Sequence, residues 1–535
     1  MDITFANQLQ TAKIWVFPFL IKVSTLRKQK FFLFGQKVIK STYLHDRSNM
    51  KTTTSTTPPI AGENFKLYLL TLGCDKNRVD SEVMLGRLVA TGAFTPITDP
   101  GHADVIIVNT CGFIKEATQE SIDTILEMAA YKSDDKAPCR VLIVTGCMSE
   151  RYRDAAKEEL PEADAILGVK DTDTIVEVVS SLLGTTVPNT NNNQDDPNKH
   201  RALSSPYIHN RHIAHIKISD GCNNACTYCT IPSIRGAYKS RPLEDIVAEC
   251  QLLLKAGAKE FVLVAQDTAL YGIDIYNKPS LHQLLREIAA LPGKPWIRLM
   301  YAYPEHITPE IIQAIADVPN ICKYIDMPIQ HSETEVLHRM GRKSTREGLL
   351  QLIKTLRTIP NIALRTTLMV GFPGETVENF RGLYNFAKEA RFERLGVFPY
   401  SREEGTPAAK LPKQVKDEVK HTRRERLMRL QQQIHQEKQQ AKVGQTIDVI
   451  IDEVIIDEVV TDEAIIDKAI VNEAADNAVE SPKQPLYIGR TQHDAYEVDA
   501  VVRFTTPTQH KPGDIVKVRI TGANDYDLQG VLTQP

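Results

Sequence analysis

The chain has 535 residues, and its 64 Lys and Arg against 67 Asp and Glu leave a formal net charge of −3. Hydrophobic residues at 42% and charged residues at 24% exclude a wholly disordered, collagen-like or disulfide-scaffold protein. Nine cysteines are too few for a disulfide framework and no apolar run approaches the roughly 20 residues that cross a bilayer, so we expect reduced thiols, a cytoplasmic location and no membrane partner.

Residues 1–62 are predicted to be an N-terminal extension outside the folded domains. They carry nine Lys and Arg against Asp2 and Asp46, and they end in a Thr- and Pro-rich stretch. Such a segment buries too little apolar surface to become ordered. We expect a disordered arm or a start of translation at Met50, with an organelle transit peptide as the alternative.

A first α/β domain is predicted over residues 63–185. Short apolar runs alternate with amphipathic helices near 78–91, 115–131 and 149–159, and this βαβ alternation predicts a parallel sheet. The predicted strands are 65–71, 104–110, 140–146 and 163–168. A polar, Asn-rich linker is then expected over 186–205.

Three cysteines of this domain follow predicted strands. We call Cys74, Cys111 and Cys147 the N-terminal cysteine set. Taken singly, each would be a packing cysteine. Because neighbouring parallel strands end at one edge of a sheet, their repeated position favours convergence of the three thiols around an iron–sulfur cluster.

A second α/β domain is predicted over residues 206–438. Six apolar runs alternate with helical stretches, and a long charged and Gln-rich helix at 415–441 leads out of the domain. The predicted strands are 214–219, 260–265, 296–301, 323–327, 363–370 and 394–399. Six βα units fit an open parallel sheet or a partial barrel, and periodicity does not choose between them.

Residues 439–535 are predicted to form a small antiparallel β-barrel. The segments 497–504 and 515–520 have strand-like sequences. Five acidic pentapeptides run from Ile450 to Ala474, and a period of five keeps no face of a strand or helix apolar. We therefore expect an expanded loop without chemistry, an acidic insertion at about 455–484.

The strongest chemical signal is a group of three thiols within eight residues of the second domain. We call Cys222, Cys226 and Cys229 the core cysteine set; they follow the domain's first predicted strand. A structural zinc site needs four ligands, and no fourth Cys or His follows at finger-like spacing. Thiolates are the usual ligands of iron–sulfur clusters, and three of them leave one iron of a 4Fe-4S cluster open.

This CxxxCxxC motif, with Tyr228 before its last cysteine, resembles the signature of the radical S-adenosylmethionine (SAM) superfamily. The resemblance implies that SAM binds the open iron and that an electron from the cluster cleaves SAM to a 5′-deoxyadenosyl radical. The cofactor then performs the difficult step, and the protein positions it.

Further motifs resemble the methylthiotransferase family of radical SAM enzymes from about residue 65 to the C-terminus. They include the segments 72–82, 109–114, 264–272 and 371–376. The family implies an N-terminal three-cysteine domain, a central partial (β/α)6 radical SAM barrel and a C-terminal TRAM barrel. It also implies two 4Fe-4S clusters, one held by each cysteine set. Asp75 departs from the proline usual in this family.

Within the family, the motifs are most similar to those of the enzymes that modify an aspartate of ribosomal protein uS12. The resemblance implies transfer of a methylthio group to the β-carbon of that aspartate, with uS12, free or on the small subunit, and an electron donor as partners. Methylthiolation of an adenosine in tRNA is the alternative. The non-basic C-terminal domain makes a tRNA partner the weaker prediction. A non-catalytic iron–sulfur electron carrier or RNA-binding module is the alternative of another class.

The remaining cysteines, Cys139, Cys250 and Cys322, are predicted to be core residues. Polar residues at strand ends are candidates for SAM contacts, although such residues are also commonly caps or solvated turns. These candidates are Gln266, Asp267, Arg365 and Thr366.

Overall fold

The computed structural model describes residues 64–133, 137–185, 212–455 and 485–533. The predicted extension 1–62 and linker 186–205 lie outside the described residues, as does the predicted insertion 455–484 except for its first residue. No helix within the described ranges is long and apolar enough to span a membrane.

The first domain contains a parallel sheet of five strands. These are β1 (Phe65–Thr71), β2 (Phe94–Pro96), β3 (Val105–Thr110), β4 (Val141–Gly146) and β5 (Ala165–Ile166). They lie in the order β2-β1-β3-β4-β5. Strands β3 and β4 are buried along their whole length, with Ile107 in the core on one face and Ile106 in the core on the other. Burial of both faces explains their continuous apolar sequences.

Helices cover both faces of this sheet. They are α1 (Asp75–Ala90), α2 (Lys115–Ser133), α3 (Cys147–Arg151), α4 (Arg153–Glu159) and α5 (Ile175–Leu183). The sequence prediction missed β2, which has three residues, and α5. The helix predicted at 149–159 is divided at Tyr152, whose φ of −122° is not helical.

The second domain is built on six parallel strands that follow one another in chain order. With a separate short pair, the described part of the domain has eight strands. They are β6 (Ile213–Lys217), β7 (Ser219–Asp220), β8 (Lys239–Ser240), β9 (Glu260–Val264), β10 (Trp296–Leu299), β11 (Ile321–Asp326), β12 (Ala363–Val370) and β13 (Arg394–Pro399). The large sheet has the order β6-β9-β10-β11-β12-β13, while β7 and β8 form a separate antiparallel pair. This sequential parallel order confirms the predicted partial (β/α)6 barrel.

The described residues of the second domain form eight α-helices before its last long one. They are α6 (Ile231–Arg235), α7 (Leu243–Lys255), α8 (Ile273–Tyr276), α9 (Leu281–Ala289), α10 (Pro309–Asp317), α11 (Thr334–Arg339), α12 (Arg346–Leu356) and α13 (Val377–Ala390). Helices α7, α9, α10, α12 and α13 pack against the sheet. Thr308 and Thr376 cap α10 and α13, since each side chain accepts a hydrogen bond from an amide in the first turn. Residues such as Leu284, Ile315 and Phe386 bury the inner helix faces against the sheet.

A 24-residue helix and a closed five-stranded barrel complete the chain. The elements are α14 (Asp417–Gln440), β14 (Thr446–Ile455), β15 (Leu486–Arg490), β16 (Val502–Thr505), β17 (Ile515–Ala523) and β18 (Leu528–Leu532). The barrel order is β14-β15-β16-β18-β17. All neighbouring pairs are antiparallel except β16 and β18, which run parallel. The small barrel is therefore confirmed, with one parallel pair that the sequence did not indicate.

Two details of the predicted barrel were wrong. The strand predicted at 497–504 begins only at Val502. The first acidic pentapeptide, 450–454, is not a loop but part of β14, where Ile450 and Ile451 are both buried. Ile450 packs toward the central sheet and Ile451 into the barrel, so this strand has two apolar faces and lacks the alternation of a half-buried strand.

Buried charges join the barrel to the central sheet. Arg490 of β15 donates to Glu260 of β9 at 2.7 Å, and Arg298 of β10 donates to the other oxygen of Glu260 at 2.6 Å. All three side chains are at most 1% exposed. Asp452 of β14 also accepts from Arg490, at 2.6 Å, so each buried charge has an opposite partner.

Candidate functional site

The N-terminal cysteine set lies at the carboxyl edge of the first sheet. Cys74 directly precedes α1, Cys111 follows β3, and Cys147 opens α3 directly after β4. Gly73 brings the first two together, because a Cβ on it would lie 2.8 Å from Cys111 Cβ and 2.9 Å from Cys111 Sγ. Its φ of +90° also requires glycine. The structure therefore places all three cysteines at one edge of the sheet.

Asn77 of α1 ties together the loops that carry this set. Its fully buried amide nitrogen donates to the backbone oxygens of Leu72 and Thr110, both at 3.0 Å. Its side-chain oxygen lies 3.5 Å from Cys147 Sγ. The sequence motif contained Asn77, but nothing in the pattern indicated this function.

In the N-terminal set, Cys147 is buried, and Cys74 and Cys111 are partly buried. Burial raises the pKa of Cys111 to about 12, and the neighbouring Cys74 and Cys147 thiols shift it in the same direction. Burial likewise raises the pKa of Cys147 to about 11, against the opposing charge of Arg235. Without a bound metal, the thiols of Cys111 and Cys147 are therefore protonated at neutral pH.

The core cysteine set lies in the loop after β6 and β7. Gly221 begins this loop with a φ of +75°, and a Cβ there would meet the carbonyl oxygen of Ala237 at 2.1 Å. The backbone amide of Asn224 donates to Cys222 Sγ, and that of Ile231 donates to Cys229 Sγ, both at 3.4 Å. Amides directed at sulfur stabilise thiolate ligands, as iron–sulfur sites require.

Burial also raises the pKa of two thiols of the core set, those of Cys222 and Cys229. It raises the pKa of Cys229 to about 12, with Cys226 and Cys222 contributing in the same direction. In the part of the chain that the structure describes, no group of three or more His, Cys, Asp or Glu is arranged to hold a single metal ion. Each thiolate of a 4Fe-4S cluster binds a different iron, so its ligands need not converge on one point. Three neighbouring thiols with amide donors fit such a cluster.

The loop after β10 faces both cysteine sets. The Tyr303 hydroxyl lies 3.3 Å from Cys226 Sγ, and the Tyr301 hydroxyl donates to Asp75, beside Cys74, at 3.1 Å. Tyr301 has a φ of +57°, which is costly for a non-glycine residue and is typical of functional sites. Sequence analysis missed both tyrosines. Asp75 occupies the first position of α1, where either proline or an acidic residue is favourable.

Arg235, which sequence analysis also missed, connects the two sets. This arginine ends α6, the helix that follows Cys229, and its guanidinium lies 3.6 Å from Cys147 Sγ. Only 1% of its side chain is exposed. A residue of the core loop thus reaches a cysteine of the N-terminal domain.

The candidate SAM contacts fall into two groups. Gln266 and Asp267 lie beside the core set, where Gln266 donates to Asp220 at 2.9 Å and Asp267 accepts from Asn224 at 3.1 Å. The side-chain oxygen of Gln266 is buried and accepts no hydrogen bond within the described structure. Arg365, by contrast, donates to Asp499 of the barrel at 2.8 Å.

The three other cysteines lie in apolar cores, as predicted. Cys139, Cys250 and Cys322 are at most 7% exposed, and they belong to three different hydrophobic clusters.

Three family models match the chain. The model of the uncharacterized protein family UPF0004 matches residues 66–168, the radical SAM superfamily model matches 216–387, and the TRAM domain model matches 471–532. The matches follow one another along the chain in the order that the sequence motifs indicated.

Curated relatives cover nearly the whole folded chain. The ribosomal protein uS12 methylthiotransferase RimO of Clostridium botulinum strain Hall is 44% identical over 88% of this chain and 98% of its own length. The protein of the same name from Geobacter sulfurreducens is 45% identical over 87% of this chain and 98% of its own length. The chain belongs to the RimO family of radical SAM methylthiotransferases. The predicted family and enzyme class are therefore confirmed.

The core cysteine set lies in the part of the chain that matches the radical SAM superfamily. This superfamily implies a 4Fe-4S cluster and SAM. A solved radical SAM methyltransferase, TsrM from Kitasatospora setae, matches at a TM-score of 0.48 and 16% identity, covering 64% of this chain and 77% of its own. Because that TM-score is below 0.5, the family assignment rests on the RimO relatives.

Proposed function

We propose that this RimO-family chain transfers a methylthio group to the β-carbon of an aspartate in ribosomal protein uS12. The observation that carries the proposal is the placement of two three-cysteine sets against each other, connected by Arg235 and by the loop that contains Tyr301 and Tyr303. The RimO relatives are named as methylthiotransferases of uS12. A cytoplasmic location accords with such a substrate.

Each cysteine set is proposed to hold one 4Fe-4S cluster. Cys222, Cys226 and Cys229 would hold the cluster that, together with SAM, would supply the radical for hydrogen abstraction from an unactivated carbon. Cys74, Cys111 and Cys147 would hold the cluster that would carry the sulfur, and a second SAM would supply the methyl group. An external electron donor is required. A β C–H next to a carboxylate has no useful acidity at neutral pH, so a general base cannot replace this chemistry.

The chain's own residues orient these groups. The amides of Asn224 and Ile231 donate to the sulfurs of the core set, and the hydroxyl of Tyr303 lies against Cys226. The buried side-chain oxygen of Gln266, which has no partner among the described residues, is a candidate acceptor for a polar group of SAM. Arg490 and its partners hold the barrel against the central sheet.

Charge favours a protein substrate over tRNA. Residues 441–535 contain seventeen acids and eight Lys and Arg, whereas a domain that binds phosphates should be basic. Helix α2, which begins four residues after Cys111, also presents an acidic exposed face with Glu116, Glu120, Asp123 and Glu127. An acidic surface suits a basic ribosomal protein.

Anaerobic incubation of the purified chain with SAM and dithionite tests the enzymatic part of the proposal. We expect 5′-deoxyadenosine, detected by liquid chromatography, and none from a Cys226→Ala variant. A Cys250→Ala variant is the matched control, since Cys250 is buried in the helix–sheet core and should leave product formation unchanged. Failure of the unaltered protein to cleave SAM would instead indicate an electron carrier or binding module.

A further inference from the structure

Helix α6 physically joins the two cysteine sets. At its first residue, the amide of Ile231 donates to Cys229 Sγ at 3.4 Å; at its last, Arg235 donates to Cys147 Sγ at 3.6 Å. Five helical residues advance only about 6 Å from first to last. A single short element therefore contacts a sulfur of each set.

The guanidinium of Arg235 is held in place on every side. Its Nη1 donates to both oxygens of Asp220, at 3.1 and 3.0 Å, and its Nη2 donates to Asp80 at 2.9 Å and to Asn77 at 2.7 Å. Burial opposes the charge, but Asp80 and Asp220 outweigh it and keep the pKa of Arg235 well above its usual value. The group is thus a permanent, fixed cation beside Cys147.

Two carboxylates and two cations make up this partly buried group. Lys217 donates to Asp80 at 2.5 Å and to Asp220 at 3.0 Å, which completes a quartet with Arg235. In formal charge the quartet is neutral, yet it is Arg235 that faces the sulfur of Cys147. Removal of one cation therefore makes the local charge negative, and removal of one carboxylate makes it positive. Because little water reaches this group, such a charge is weakly screened.

We propose that Arg235 is a positioning residue that raises the reduction potential of the cluster on Cys74, Cys111 and Cys147, through its hydrogen bond to the Cys147 sulfur and its buried charge. This rests on the proposed function, which places a cluster on that set. Net charge and hydrogen bonds to sulfur are main determinants of iron–sulfur potentials, and a nearby cation favours the more negative, reduced state.

The test uses the full chain with Cys222, Cys226 and Cys229 changed to Ala, so that one cluster remains. The midpoint potential is measured by redox titration with electron paramagnetic resonance detection. Arg235→Gln should lower the potential, and Arg235→Lys should lower it less because it keeps the charge. Asp80→Asn removes a compensating carboxylate without touching a cysteine and should raise the potential.

Arg298→Lys serves as the control for disturbing a buried arginine, because Arg298 lies at the joint with the barrel and pairs with Glu260. It should leave the potential unchanged. Unchanged potentials in Arg235→Lys and Asp80→Asn, or shifts in the same direction, would overturn the inference while the cluster itself remains. These two variants decide the question if Arg235→Gln fails to fold. Absence of any cluster from the starting triple variant would instead overturn the proposed second cluster, and the inference with it.

Discussion

At the scale of single residues, glycine and asparagine determine where the N-terminal cysteine set lies. Gly73 combines a φ of +90° with close approach to Cys111, and Asn77 fixes the loops on either side. Neither residue carries the chemistry of the site. Both hold three thiols from separate loops at a fixed spacing, as the proposed cluster would require.

Gly73→Ala tests the importance of this close approach. The new Cβ would lie 2.8 Å from Cys111 Cβ, so the cysteine must move and the N-terminal set should lose its cluster, about half of the iron. Gly92→Ala is a matched control, since Gly92 also has a positive φ, +75°, but no atom lies within 4 Å of its added Cβ. Colorimetric iron analysis distinguishes the two; full iron in Gly73→Ala would contradict the proposed site.

Removal of each cysteine set tests the ligand assignment itself. Changing Cys222, Cys226 and Cys229 to Ala should halve the iron content and abolish formation of 5′-deoxyadenosine. The same change to the N-terminal set should halve the iron but leave SAM cleavage intact.

The three core cysteines provide the control for these variants. Changing Cys139, Cys250 and Cys322 to Ala should preserve the full iron content, since all three lie in apolar clusters. Full iron in either triple variant of the proposed ligand sets would refute the assignment.

The candidate ligands could be predicted from sequence, but the residues around them could not. Spacing and strand ends are local properties, and they located all six cysteines. Arg235 contacts Asn77, 158 positions earlier in the chain, and Tyr303 contacts Cys226 across 77 positions. Such contacts depend on how the two sheets meet, which no local pattern encodes.

At the scale of elements, the hairpin of β14 and β15 carries the acidic insertion. Ile455 at the end of β14 pairs directly with Leu486 at the start of β15. The ends of the strands are therefore close enough to be joined by a short turn. From the sequence, the first pentapeptide is predicted to be loop, because a period of five keeps no single face apolar. In the structure, Ile450 and Ile451 each pack on a different face of the strand.

Replacing residues 456–485 by a four-residue turn should leave the barrel folded. The closure free energy depends only logarithmically on loop length, so the change should be below about 2 kcal/mol and should favour the shorter chain. Thermal unfolding and 5′-deoxyadenosine formation measure the two consequences. A large drop in melting temperature would mean that the removed residues stabilise the barrel.

At the scale of the whole molecule, the buried joint of Glu260, Arg298 and Arg490 fixes the barrel on the central sheet. The sequence predicted the order of the domains but not this joint, because its members come from three distant segments of the chain. Burial disfavours the charged form of Glu260, yet the two arginines outweigh it and lower its pKa to about 2.

Glu260→Gln should destabilise the joint by roughly 3–5 kcal/mol, because it leaves buried positive charge without its partner. In the unaltered protein the contribution of Glu260 is present above pH 4.5, its usual pKa, and is lost as the pH falls toward 2. Denaturant unfolding followed across this range should show a larger loss of stability in the unaltered protein than in the Glu260→Gln variant, because other carboxylates with lowered pKa values contribute to the loss in both. Asp317→Asn, at an exposed ion pair with Arg286, is the control and should cost less than about 1 kcal/mol. Equal effects of the two changes would rule out a stabilising joint.

The most direct test of the proposed function is mass spectrometry of two substrates offered together. The anaerobic chain, with SAM, sulfide and a reductant, is given uS12 and a tRNA that contains a modifiable adenosine. We predict one added methylthio group on an aspartate of uS12, an unmodified tRNA, and a reaction that weakens as salt screens the acidic surface. A methylthio group on the tRNA with unmodified uS12 would contradict the proposal.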